Sequence, residues 1–289
     1  MSVQEFHYRI GWRARGRYPG HHRAAAGGGG FEFHSHAPLL AVADPRRLDI
    51  RASLRDPFGQ WVARVHHQRS SVPLYVLADL SASMGFRGRH AKLEVLADLV
   101  AAAGYSAART GDPFGFIGAD ERVREELLLP ATRARGAGAG LARRLRAFAA
   151  TGASAAGLLE ASRYLGRTRA LVLLISDFHL PLALVSALRD RLVRHDVVPV
   201  VLWDPLEAQG PGTGAGLVRL RDRESGSTRT LLLRASLRAR LAENYAEHRR
   251  ALQRAWQGRG REPLFLDGPF RADALTRYFF GDASARAPA

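Results

Sequence analysis

Long apolar runs recur along the chain, and two of them end at an aspartate. The run in SVPLYVLAD leads to Asp79, and the run ALVLLIS at 170–176 leads to Asp177. PFGFIGA at 113–119 and VVPVVLW at 197–203 have the same character. Apolar runs of this length, bounded by turn residues, are typical of strands that are buried on both faces of a sheet.

Segments with helical spacing separate these runs. In AKLEVLADLVAAAGYSAART at 91–110, the apolar residues Leu93, Leu96 and Val100 lie on one helical face. The segments GLARRLRAFAA, AAGLLEASRYL and PLALVSALRDRLVRH show similar spacing. Apolar strands that alternate with helices predict an α/β fold, a doubly wound and mostly parallel sheet with helices on both faces. Ligands bind such sheets beyond the carboxyl ends of the strands.

The flanking segments predict smaller parts. A glycine-, histidine- and arginine-rich stretch with GGGG at 27–30 predicts an irregular N-terminal arm, and the stretch at 46–70 predicts edge strands. GLVRLRDRESGSTRTLLL predicts a hairpin that turns at Ser225–Gly226, and SLRARLAENYAEHRRALQRAWQ predicts a long helix. We therefore expect an N-terminal arm with edge strands at 1–70, the α/β domain at 71–205, an accessory hairpin and helices that complete it at 206–282, and a disordered tail at 283–289.

Composition limits the chemistry and the location of the protein. The 289 residues include no cysteine, which removes disulfides, thiolate zinc sites and cysteine nucleophiles and suits a reducing compartment. The first residues, MSVQEFHYRIGWRARGRY, lack the apolar stretch of a signal peptide. No run approaches the roughly 20 apolar residues that span a bilayer. We expect a soluble, cytoplasmic protein that does not contact a membrane.

The formal net charge is +16, and Lys92 is the one lysine among 43 basic residues. Arginine is spread over almost every segment, which fits a coding bias. The alternative interpretation is a basic surface that attracts an acidic partner or a nucleic acid, with the arginine-bearing helix at 236–257 as the contact. Charge alone leaves both interpretations open.

Polar side chains follow the two aspartate-terminated strands. Asp79 begins a D-x-S-x-S pattern with Ser81 and Ser83, Asp177 follows the second strand, and Ser154 lies in the TGAS loop before a helix. A doubly wound sheet can bring these three loops together at one edge. Their donors are all oxygen atoms, the ligands that suit Mg²⁺ or Mn²⁺. The sequence therefore predicts one divalent metal site.

These residues also carry a family resemblance. DLSASM, the TGAS loop and LLISDF resemble the metal-ion-dependent adhesion site of von Willebrand factor A domains. GGGGFEF, RRLDIRASLR, YSAARTGDPFGF, RHDVVPVVLWDPLE and RDRESG resemble, in this order, the bacterial branch called domain of unknown function 58. The similarity covers roughly residues 20–250. Ile50 stands where that branch often has tryptophan, and Ser154 stands where adhesion-site domains usually have threonine.

The resemblance implies a function. It implies that residues 71–205 form a von Willebrand factor A-like domain in which Asp79, Ser81, Ser83, Ser154 and Asp177 hold the metal. The open position of such a metal takes a carboxylate from another protein. The resemblance further implies a non-enzymatic adaptor that works with a MoxR-type AAA+ ATPase in the chaperone-like maturation of other proteins.

Enzyme chemistry has less support in the residues. A haloacid-dehalogenase-like site needs a second carboxylate two residues after Asp79, where the chain has Ser81. GASAAG lacks the second glycine of a nucleophile elbow. Lys92 has no P-loop around it, so ATP hydrolysis, if involved, belongs to a partner. We expect no enzymatic activity, and two alternatives stay open, a nucleic-acid-binding protein and a metal-dependent phosphoesterase.

Overall fold

The computed structural model describes residues 4–14, 18–28, 32–42, 44–210, 216–221, 223, 226–258 and 260–281. The expected tail at 283–289 and the turn residue Ser225 lie outside the described residues. The chain forms two compact units, one of Arg9–Val72 and one of Met1–Tyr8 together with Pro73–Ala289.

The smaller unit is built on a three-stranded antiparallel sheet in the order β1-β3-β2. Its elements are β1 (Pro19–Gly28), β2 (Glu32–Pro38), the 3-10 turns Leu39–Ala41 and Pro45–Arg47, α1 (Ile50–Ser53) and β3 (Val62–Ser70). The composition predicts an irregular arm over the first 45 residues, with FEF at 31–33 as the one candidate strand, whereas the structure has two strands there, β1 and β2. Both pair with β3, because ladder partners can override weak local strand propensity.

Asp49 of the RRLD motif connects the parts of this unit. Its carboxylate accepts the backbone N–H of Ala52 (3.1 Å) at the start of α1 and the Nε–H of Arg64 (2.6 Å) in β3. His36 Nε2 in β2 lies 3.1 Å from the same carboxylate. The neighbouring Ile50, the position that departs from the family pattern, is exposed.

The larger unit contains a six-stranded sheet in the order β11-β8-β7-β4-β5-β6. The strands are β4 (Leu74–Asp79), β5 (Phe114–Ala119), β6 (Leu129–Thr132), β7 (Leu171–Ser176), β8 (Asp196–Leu202) and β11 (Leu264–Leu266). Only β6 runs antiparallel to its neighbour among these described strands. A separate hairpin pairs β9 (Gly216–Arg221) with β10 (Thr228–Leu233). The predicted doubly wound, mostly parallel sheet is confirmed.

Helices and 3-10 turns connect these strands. The helices are α2 (Lys92–Thr110), α3 (Ala137–Arg146), α4 (Leu158–Ala161), α5 (Leu182–Arg191), α6 (Pro205–Gln209), α7 (Ala235–Trp256) and α8 (Ala272–Phe280). The 3-10 turns are Ala82–Gly85, Glu125–Leu127 and Ser162–Leu165. No helix of the described ranges combines the length and the apolar character needed to cross a bilayer.

Helices cover both faces of the central sheet. On one face, Leu77 and Leu174 pack in a core with Leu158 of α4, Leu188 of α5 and Trp256 of α7. On the other face α2 contacts β4 and β5, and α3 packs against α2. Every residue of β4, β5 and β7 is consequently buried, which explains their continuous apolar sequences.

The strand order reverses between β4 and β7. The chain runs from β4 outwards through β5 to β6, and then returns to the other side of β4 to build β7, β8 and β11. The carboxyl ends of β4 and β7 therefore meet at the topological switch point, where α/β sheets bind their ligands.

Candidate metal centre

Asp79 lies at the switch point because of the pairing between β4 and β7. Ala78 pairs with Ile175, which brings the next residues, Asp79 and Ser176, side by side. Ser176 donates its hydroxyl to Asp79 Oδ2 (2.7 Å), and the backbone N–H of Ser81 donates to Asp79 Oδ1 (2.9 Å). The carboxylate is thus held in one orientation from both sides.

The segment that begins at Asp79, residues 79–85, is here called the metal loop. Its 3-10 turn brings two of the predicted ligands together, since Ser81 Oγ lies 3.2 Å from Ser83 Oγ. Ser81 is fully buried and Ser83 is partly exposed. The loop therefore presents one carboxylate and two hydroxyls over a short distance, as the D-x-S-x-S spacing predicts.

Asp79 is a buried carboxylate that pairs with no basic side chain of the described residues. It has no solvent-exposed surface. Burial, and then the negative charge of Asp177, raise the pKa of Asp79 to about 7. A buried carboxylate of this kind takes up either a proton or a metal ion.

Asp177 has a basic partner. Lys92, at the first position of α2, donates from Nζ to Asp177 Oδ2 (2.8 Å) and to Glu207 Oε1 (2.6 Å). Burial alone would raise the pKa of Asp177, but the Lys92 ammonium and His179 hold it below its ordinary value. The pKa of Lys92 is raised, because the two carboxylates outweigh the effect of its burial.

The sequence DPLE positions Glu207 for this contact. Asp204 caps α6 by accepting the backbone N–H of Leu206 (2.9 Å), and Glu207 Oε2 accepts the backbone N–H of Asp204 (3.0 Å). This reciprocal capping box leaves Glu207 Oε1 free to meet Lys92.

Asp177, His179 and Glu207 could by their spacing hold a second metal, since one ligand atom from each lies within 4.8 Å of the others. Lys92 Nζ, however, already bonds to both Asp177 and Glu207. The ammonium is therefore the cation that these two carboxylates share, and we assign no second metal to this group.

The turn after β7 is strained and firmly held. Phe178 has a φ of 53°, in the left-handed region that residues other than glycine rarely adopt. Trp203 Nε1 donates to the Asp177 carbonyl oxygen (2.8 Å), and His248 Nε2 donates to the Phe178 carbonyl oxygen (2.8 Å). Ser176 Oγ accepts the backbone N–H of Phe178 (2.8 Å). These contacts fix the direction in which Asp177 points.

The TGAS loop adjoins the metal loop through its backbone. Gly152 accepts the backbone N–H of Ala82 (2.8 Å), and its Cα faces Asp120, so an added Cβ would lie 2.5 Å from the Asp120 Cβ. Ser154 is half-buried, and its hydroxyl accepts a long hydrogen bond from Ala156 N–H (3.5 Å). Within the described residues no hydrogen bond joins Ser154 to the other predicted ligands, so its role stays a prediction.

Sequence reasoning missed Ser176, Lys92 and Glu207. Ser176 precedes Asp177 in ISD, and the signal that it would lie opposite Asp79 is that the apolar stretches LYVLA before Asp79 and LVLLI before Ser176 have the same length. The D-x-x-E pattern of a capping box was the signal for Glu207. The segment GRHAKLE has the pattern of a helix start, and nothing in it signals the buried contacts of Lys92.

Comparison with known proteins gives one family. The family described as "Protein of unknown function DUF58" matches residues 43–251. Uncharacterized proteins of Mycobacterium bovis and Mycobacterium tuberculosis are 33% identical over 108 residues, which are 37% of this chain and 33% of theirs. The chain thus matches about a third of the length of these curated relatives.

Two solved structures show a low structural similarity to this chain. BatB from Bacteroides thetaiotaomicron is 16% identical with a TM-score of 0.42, over 74% of this chain and 100% of that chain. An aerotolerance-related membrane protein from Bacteroides fragilis is 15% identical with a TM-score of 0.41, over 75% of this chain and 100% of that chain.

Proposed function

We propose that this chain, which belongs to the family described as Protein of unknown function DUF58, is a protein-interaction module whose binding site contains one Mg²⁺ or Mn²⁺ ion. The observation that carries the proposal is the buried carboxylate of Asp79 at the sheet's switch point, with which no basic side chain of the described residues pairs. A divalent ion would neutralise this carboxylate, and the predicted ligands around it all offer the oxygen atoms that such an ion prefers.

Asp79, Ser81 and Ser83 would hold the ion directly. Ser154 and Asp177 would add oxygen atoms, either to the ion or to waters bound to it. The charges fit, because Asp79, Asp177 and Glu207 together with Lys92 leave two negative charges for a divalent ion to balance. An ion held by few charged ligands is electrophilic, and when bound it supplies an open position for an acidic side chain of another protein.

The partner that we propose is a MoxR-type AAA+ ATPase, with this chain as a non-enzymatic, cytoplasmic adaptor for the maturation of other proteins. The ordered motifs of the family resemblance support this partner, and the absence of a P-loop from the sequence agrees with hydrolysis on the partner's side. Co-purification of such an ATPase in Mg²⁺, and its loss in a chelator, is the expected result.

A calorimetric Mg²⁺ titration tests the metal directly. Asp79→Asn keeps the shape of the side chain and removes its charge, so we expect no detectable binding. Asp273→Asn is the matched control, since Asp273 is an exposed aspartate at the start of α8. The proposal fails if Asp79→Asn binds Mg²⁺ as tightly as the wild type.

A further inference from the structure

Three exposed arginines flank the metal loop, and they bear on what the metal site binds. We call Arg87, Arg89 and Arg223 the arginine rim. None of them forms an ion pair with a carboxylate of the described residues, in contrast to Arg124, which pairs with the buried Asp120 nearby. The rim therefore carries positive charge that the folded chain does not neutralise.

Arg223 reaches the metal loop from the connection between β9 and β10. Its Nε donates to the carbonyl oxygen of Ala82 (3.0 Å), the residue between Ser81 and Ser83. Gly85 gives the guanidinium room, because a Cβ there would come within 3.0 Å of Arg223 Nη2. The hairpin, which otherwise makes only a two-stranded sheet, thus places a cation at the edge of the candidate metal site.

Arg87 and Arg89 belong to a segment whose backbone is held in place. They lie on either side of Gly88, in the segment between the metal loop and α2. Asp204 Oδ2 accepts the backbone N–H of His90 (2.9 Å), and a Cβ on Gly88 would come within 2.4 Å of Asp204 Oδ1. The segment is therefore held against Asp204 while the two arginine side chains remain exposed.

Resting on the proposed function, we propose that the arginine rim selects a partner segment with several carboxylates close together. One carboxylate would bind the metal, and its neighbours would pair with the rim arginines. A nucleic acid is the less suitable occupant, because a phosphate backbone is bound by a long basic stripe, whereas Arg87 and Arg89 follow the metal loop closely in the sequence and Arg223 contacts it.

Fluorescence anisotropy with two labelled peptides tests the rim. One peptide carries four consecutive aspartates, and the other carries one aspartate among asparagines. The variants of the full chain are Arg87→Gln/Arg89→Gln and Arg223→Gln. Arg144→Gln is the control, because Arg144 is an exposed arginine of α3 with the same charge. The double variant leaves the contact between Arg223 and Ala82 intact. It therefore tests the loss of positive charge without disturbing the structure of the metal loop.

In Mg²⁺ at low salt, we expect the double variant to bind the four-aspartate peptide about five- to tenfold more weakly, since each exposed ion pair contributes a small but additive share. Its affinity for the one-aspartate peptide and the affinity of Arg144→Gln should change less than about twofold. Equal losses for both peptides, or none, overturn the inference.

Three further outcomes are distinguishable. If a chelator or Asp79→Asn leaves peptide binding unchanged, the proposed metal function fails, and the inference that rests on it fails as well. If binding needs Mg²⁺ and Asp79 but not the arginines, only the inference fails. Tighter binding of a single-stranded oligonucleotide than of the four-aspartate peptide through the same arginines also overturns it, in favour of a nucleic-acid partner.

Discussion

Replacing Lys92 by methionine removes the ammonium that Asp177 and Glu207 share. The side chains of Lys92 and Asp177 are almost completely buried, so water cannot replace the lost contact. Methionine fills a similar volume, which leaves charge as the main variable. Removal of one partner from a buried ion pair costs about 3–5 kcal/mol, and we expect a loss of about 4 kcal/mol in the free energy of unfolding at pH 7.

The pH dependence follows from the pKa of Asp177, which Lys92 holds below its ordinary value. In the wild type this carboxylate stabilises the fold above its ordinary pKa, and the contribution is lost as pH falls through the pKa of the folded state. In Lys92→Met the buried carboxylates lack their cation and destabilise the fold when ionised. The difference between the two proteins should therefore be largest near neutral pH and shrink in acid.

Urea unfolding in the presence of a chelator, between pH 4.5 and 8, is the assay. The companion variant Lys92→Met/Asp177→Asn/Glu207→Gln keeps the acceptor oxygens for His179 and Asp204 but carries no charge. Proteins often tolerate the replacement of a whole buried ion group by neutral side chains. The triple variant should therefore recover most of the free energy of unfolding that Lys92→Met loses. The reasoning is refuted if Lys92→Met loses less than about 1 kcal/mol at pH 7, or if its loss is the same at every pH.

The remaining predictions concern Asp79 and Gly152. Because the pKa of Asp79 rises from 3.8 to about 7, the metal-free protein should lose up to about 4 kcal/mol of stability as pH rises through that interval, and Asp79→Asn should remove this slope in a pH series of urea curves. At pH 8, Mg²⁺ at about 100 times its Kd should stabilise the wild type by about 2.7 kcal/mol, and a thermal-shift series should show no such gain for Asp79→Asn. Gly152→Ala should cost about 1–3 kcal/mol, because the new Cβ would overlap Asp120, whereas Gly140→Ala, which meets open space within α3, should be neutral or stabilising.

Much of the fold could be predicted because the central strands are buried on both faces. The apolar run at 113–119 corresponds to β5 (Phe114–Ala119), and the helical spacing at 91–110 corresponds to α2 (Lys92–Thr110). By contrast, β1 pairs through its backbone with β3, and its glycine- and histidine-rich sequence has no alternating pattern to reveal that pairing. Strands that depend on a partner more than on their own composition escape a local analysis.

In the candidate site, too, some residues could be predicted from local sequence and others could not. Asp79, Ser81 and Ser83 lie within five residues of one another, so their spacing alone indicated a shared centre. Ser176 reaches Asp79 only through the register of β4 and β7, which are 97 residues apart at this contact. Glu207 contacts Lys92 at the start of α2 only because β8 and α6 position it there. The sequence therefore predicts the local motifs of the site, but it does not predict the contacts between elements that are distant in the chain.

Lys92 joins the composition of the chain to the chemistry of the site. Lys92 is the one lysine of the sequence, and all the remaining residues of the Lys and Arg total are arginine. This lysine lies in the buried contact with Asp177 and Glu207. An ammonium is a compact charge that fits between two carboxylates in a closed space, whereas a planar guanidinium is larger and needs more donors satisfied. The one exception to the arginine bias marks the position where the shape of the cation matters. Lys92→Arg should therefore be disruptive although it preserves the charge.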